Sequence, residues 1–135
     1  MSRFTLAALV GLALLLGGCA KEIPDPGAEE VDPTNPKSVL GSVFWAARTG
    51  KADHLASLCS PDGSGNASVK RICRVTPDSP DWTSFRENFS RGHINGEPRI
   101  TGDTAVLKFL YGPSGSTKET MTMTRRDGRW FLERF

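Results

Sequence analysis

TGDTAVLKFLYGPSGSTKETMTMTRRDGRWFLERF, residues 101–135, is the stretch whose reading decides the fold. In it Ala105, Leu107, Phe109 and Tyr111 alternate with Thr104, Val106, Lys108 and Leu110, and Met121 and Met123 alternate with Thr120, Thr122 and Thr124. A period of two marks strands with one buried face, and β-branched and aromatic residues suit that surface. Gly102-Asp103, Gly112-Pro113-Ser114-Gly115 and Asp127-Gly128 break the pattern at hairpin spacing. Together with the run that opens at His93, this predicts four antiparallel strands, 93–100, 103–111, 117–125 and 129–135. The last carries Trp130, Phe131, Leu132 and Phe135 on both of its faces. It is therefore expected to be central in the sheet, or covered on both sides.

Upstream, the period lengthens to that of helices. Asn35-Pro36 offers an N-cap and a first-turn proline, and Val39, Leu40, Val43, Phe44 and Ala47 then recur on one face up to about Thr49. Gly50 supplies the stop. A short second helix over 52–59 places Leu55 and Leu58 three apart. Asp81 is expected to cap a third helix in which Trp82, Phe85 and Phe89 point to the core. Helices first and an antiparallel sheet afterwards give an α+β domain, with the N-terminal helices packed on one curved sheet.

Three pieces, VLGSVFWAARTGKADHLASLC at 39–59, ITGDTAVLKF at 100–109 and RRDGRWFLERF at 125–135, resemble small bacterial lipoproteins of the nuclear transport factor 2-like superfamily. The likeness rests on apolar pattern and turn positions and not on a catalytic motif. It implies a cone-shaped domain with a cleft between helices and sheet; cystatin-like folds share the same order of elements. In the catalytic branches of that superfamily, Asp, His and Tyr side chains point into the cone, where burial tunes their protonation. The corresponding pocket candidates here are His93, Tyr111 and Glu119, the last on the same side of its strand as Met121 and Met123. Each also has a plain reading, as a strand start, a packing ring and a solvated strand end.

His54 falls on a surface helix, and Asp103 and Asp127 sit where turns need them. No phosphate-cradling glycine loop, His-Glu-x-x-His helix or Gly-x-Ser-x-Gly elbow is present in the sequence. The expectation is a noncatalytic binding domain. The alternatives are an isomerase or dehydratase using His93, Tyr111 or Glu119, and a purely structural envelope subunit.

The N-terminus reads as an address. Arg3 precedes an uncharged, apolar-rich run from Phe4 to Gly18, the layout of a secretory signal peptide spanning residues 1–18. The run is short for a membrane span and meets Lys21, Glu22, Pro24 and Pro26 at once. Leu16-Gly17-Gly18-Cys19 resembles the lipobox of bacterial lipoproteins. That resemblance implies a diacylglyceryl group on the Cys19 thiol, cleavage before it and acylation of the new amine. Each buried methylene adds about 0.8 kcal/mol of membrane affinity, so several chains give a stable anchor. The same resemblance implies that Ala20, in place of aspartate, favours the outer membrane of a two-membrane envelope, facing the periplasm. The competing reading is an ordinary secreted protein cut near Gly18.

Residues 19–36 then form a proline- and acid-rich tether. Some 15 extended residues would hold the domain roughly 45 Å from the lipid. Residues 37–135 make one domain, since so short a chain does not bury two cores.

With Cys19 set aside, Cys59 and Cys73 form an even pair in an oxidising compartment and are expected to be bridged; free thiols or metal or redox chemistry are the competing readings. The closed loop contains Pro61, Gly63, Gly65 and Asn66, so the bridge is expected to pin a segment without core contacts. There is no Cys-x-x-Cys, and His54 with the two cysteines matches no compact zinc spacing. No metal or cofactor is expected. From Ser38 to Phe135 there are 14 Lys+Arg against 10 Asp+Glu, a net of +4. Their scatter, without clustered aromatics, speaks against a nucleic-acid binder. The partners expected are the membrane, through acylated Cys19, and an unknown small molecule or envelope protein.

Overall fold

The computed structural model of the protein describes residues 31–135. The signal peptide, Cys19 and the tether as far as residue 30 lie outside the described residues. Those described form an α+β structure of four helices and an antiparallel sheet built from five strands.

Helix α1, Pro36–Thr49, begins and ends as its sequence dictates. Asn35 Oδ1 accepts the Lys37 N–H at 3.0 Å, and Pro36 occupies the first turn, where a missing N–H costs nothing. Gly50 ends the helix at φ 76°, a left-handed conformation that a residue without Cβ adopts freely. One face, from Val39 through Ala47, is fully buried. Helix α2, Ala52–Ala56, is shorter than expected and buries Leu55, with Leu58 following in the turn.

The segment closed by the cysteines is not a bare loop. Cys59 and Cys73 are disulfide-bonded with Cα atoms 6.1 Å apart, and between them runs helix α3, Ala67–Arg74. Asn66 caps it by accepting the Val69 N–H at 3.0 Å, and Val69 and Ile72, three apart, are both buried. The turn formers Pro61 to Gly65 are confined to the loop's first half. This corrects the expected segment without core contacts. Asn66 also ties the helix to the sheet: its Nδ2 donates to Phe135 O at 3.0 Å and its backbone N–H to Glu133 O at 2.9 Å. Asn66→Ala is expected to cost about 1–2 kcal/mol in urea unfolding, since it removes a cap and a tertiary hydrogen bond together. An unchanged midpoint would deny the cap its role.

Helix α4, Pro80–Phe89, is preceded by Ser79 at the N-cap position, with Asp81 one step inside the first turn and not the cap expected. Phe85 and Phe89 are buried, whereas Trp82 is only half-buried and stacks on Phe85 at 5.9 Å. Arg86 fastens the helix to α1 by donating to Ala47 O at 3.0 Å.

The strand expected over 93–100 is two, β1 (His93–Ile94) and β2 (Arg99–Thr101), both paired with β3 (Thr104–Tyr111). Gly96 at φ 98° and Pro98, which has no N–H to give a ladder, interrupt the run. β3 pairs with β4 (Thr117–Arg126) and β4 with β5 (Arg129–Arg134), giving the order β1-β3-β4-β5. On one face Ala105, Leu107, Phe109, Met121, Met123 and Leu132 are buried against the helices. On the other, Thr104, Lys108 and Thr120 meet solvent.

β5 is at the end of the sheet and not central, yet its outer edge is covered. The Trp130 N–H donates to Pro33 O at 2.8 Å and the Leu132 N–H to Leu58 O at 3.0 Å. Chain from two other places thus satisfies N–H groups that an open edge would present to solvent. Val31 packs on the core as well, so residues 31–35, assigned to the tether from sequence, make domain contacts.

The loop before α3 carries a carboxylate with a pH signature. Asp62 accepts hydrogen bonds from Ser64, Ser60 and Arg126, and these, Ser64 first, hold it well below the ordinary aspartate range. A depressed folded pKa stabilises above the unfolded value, near pH 4, and that stabilisation is lost as pH falls through the folded value. Urea midpoints measured from pH 5 downward are expected to fall more steeply in the wild type than in Asp62→Asn. Parallel curves would contradict this.

Candidate functional site

A cleft of about 280 Å³ opens between α3, α4 and the end of the sheet. Its floor is aromatic. Phe89 lies 5.0 Å from Phe85, 5.3 Å from Tyr111 and 5.8 Å from Phe135, the last edge-on, so four rings from three elements form one continuous surface. The α3 wall adds Ile72 and, just beyond the helix, Val75.

The rim is polar and its groups come from two helices. α3 contributes Ser68 and Arg71; α4 contributes Asp81, Ser84 and Asn88. Asp81, Ser84 and Asn88 are spaced i, i+3 and i+7, which puts them on one stripe beside the phenylalanines. Asn88 Nδ2 donates back to Ser84 O at 2.7 Å, which orients its amide, and the Gly112 N–H donates to Asn88 O at 2.7 Å, which docks α4 on the end of β3. Among the described residues neither Arg71 nor Asp81 takes part in an ion pair, and the Tyr111 hydroxyl makes no hydrogen bond. An apolar body with a few convergent polar groups is the ordinary constitution of a ligand site.

Of the three pocket candidates from sequence, Tyr111 alone lines this cleft. His93 lies in a separate hollow of about 500 Å³ between α1 and the β1–β2 turn, beside Lys37, Arg48 and Glu97, with its Nδ1 3.3 Å from Arg91 O. The Lys37–Glu97 ion pair, 2.9 Å, spans that hollow. Glu119 lies opposite Phe109 in a third hollow with Lys108 and Lys118, and its Oε1 accepts the Thr120 N–H at 2.9 Å. The three therefore form no common constellation. His54 is half-buried in α2, its ring edge-on to Trp45 at 5.2 Å.

Sequence reading missed Ser68, Arg71, Ser84 and Asn88. The signal existed for α4, as the 81-84-88 stripe beside Phe85 and Phe89. For α3 it was hidden, because the preceding turn residues masked an eight-residue helix. Among the described residues no group of three or more His, Cys, Asp or Glu side chains is placed to hold a metal, and no helix is long and apolar enough to cross a membrane. Comparison with protein-family models, curated proteins and solved structures found no match to the chain.

Proposed function

We propose that the protein is a membrane-anchored, noncatalytic envelope lipoprotein whose domain binds a small molecule in the α3–α4 cleft. The anchor is Cys19, outer-membrane placement follows from Ala20, and the domain is of the nuclear transport factor 2-like type. The observation that carries the binding role is the aromatic floor of Phe85, Phe89, Tyr111 and Phe135 beneath a polar rim. Association with a protein through the open sheet face has less support, since Ile100 is the single large hydrophobic side chain exposed among the described residues. The isomerase or dehydratase reading gains nothing from His93, Tyr111 and Glu119 in three different hollows.

Ser84→Trp fills the cleft from its exposed rim without touching the core. In a thermal-shift screen of small metabolites, ligands that raise the wild-type Tm are expected to leave this variant unmoved. A ligand at 100 times its Kd adds about 2.7 kcal/mol, a readily measured shift. Hits that stabilise both proteins equally would sink the site. For the anchor, Cys19→Ala is expected to abolish lipid labelling and release the protein from membranes.

A further inference from the structure

The two walls of the cleft carry opposite charges. Arg71 stands on the α3 wall and Asp81 on the α4 wall, and neither is neutralised by an ion pair among the described residues. We infer that the cleft recognises a small dipolar molecule with an apolar body, of the class of aromatic or branched amino acids, its anion on Arg71 and its cation on Asp81. This inference rests on the cleft being a ligand site.

Charge and size point the same way. A guanidinium offers a paired-donor fork that matches a carboxylate, and a carboxylate accepts from an ammonium. A purely anionic amphiphile would satisfy Arg71 but set its charge against Asp81, and a purely cationic one would do the reverse. The volume of about 280 Å³ equals roughly nine waters at ~30 Å³ each, which fits a molecule of amino-acid size. The stacked faces of Phe85 and Phe89 and the edge of Phe135 give an aromatic or branched side chain its apolar contact. The rim adds the Tyr111 hydroxyl and Asn88 Oδ1, which make no hydrogen bond among the described residues, for the remaining hydrogen bonds of the ligand.

The test is calorimetric titration of the full-length protein in mild detergent with three probes: L-phenylalanine, L-phenylalaninamide, which lacks the carboxylate, and 3-phenylpropionate, which lacks the ammonium. L-phenylalanine is expected to bind one saturable site, and each analogue to bind about fivefold more weakly, the scale of one exposed charge contact. Arg71→Gln should erase the preference over the amide, and Asp81→Asn the preference over phenylpropionate. Phenylpropionate binding as well as phenylalanine overturns the dipolar class. So does the absence of heat from all three. In that last case, metabolite hits cancelled by Ser84→Trp keep the cleft as a binding site, whereas their absence rejects both readings.

Discussion

Phe109→Ala is expected to lower the unfolding free energy by about 3–5 kcal/mol, the cost of a buried ring plus the cavity it leaves. Phe109 is 1% exposed and sits on the inner face of β3. Its ring touches Phe44 at 5.8 Å, Tyr111 at 5.6 Å and Phe135 at 6.2 Å. Collapse into the void is hindered, because α1 cannot simply settle. A Cβ at Gly92 would come within 2.2 Å of the Phe44 ring, so backbone already fills that side, and Arg86 holds α4 to α1. Domains of this size are stable by only about 5–15 kcal/mol, so the variant loses between about a fifth and the whole of its margin. Phe109→Leu, which keeps most of the volume, should cost less than half as much. Urea unfolding of both variants reads the difference, and an alanine variant within about 1 kcal/mol of wild type would displace Phe109 from the centre of the core.

Replacing both Cys59 and Cys73 by Ala is the second large effect. The bridge closes a loop of 14 residues' separation, for which the chain-entropy relation gives about 3 kcal/mol. At 4–8 °C per kcal/mol for a domain of roughly 100 residues, Tm should fall by about 12–24 °C. The loss should also be local. α3 is held by Val69 and Ile72 in the core, by Asn66 on β5 and by the disulfide, so removing the bridge takes one of three fastenings from the helix that forms a wall of the cleft. Hydrogen exchange in the reduced-cysteine-free variant is expected to rise first in α3, with α1 and β3 still protected. Uniform acceleration across all elements would mean that the bridge stabilises only through the unfolded chain.

The sheet was legible because its signal is strict. Alternation from Thr104 to Tyr111 and from Thr120 to Thr124 admits one register per buried face, and a slip by one residue would expose Leu107 and Met121 to water. α1 was legible because cap, first-turn proline and terminal glycine agree with the apolar stripe between them. α3 was not, although Val69 and Ile72 recur at helical spacing, because the turn formers Pro61 to Gly65 run straight into it, and because Asn66 holds it through Glu133 and Phe135, partners nearly 70 positions away. From its hydrophobicity β5 is expected to be central or covered on both sides. It is an edge strand whose Trp130, Phe131 and Leu132 are all buried, and the Trp130 and Leu132 N–H groups on its outer edge are taken by Pro33 and Leu58, which no local pattern announces. The cleft was half visible for the same reason. Tyr111 stands at a strand end beside a glycine, but Arg71 and Asn88 meet it only after α3 and α4 have docked.

The central claim is that this domain holds a small molecule between α3 and α4. Native mass spectrometry of the full-length protein, gently extracted from membranes, tests it most directly. A retained adduct of amino-acid size is expected on the wild-type chain and is expected to be lost in Ser84→Trp. A bare chain in both, or a stoichiometric protein partner unaffected by the substitution, would contradict it.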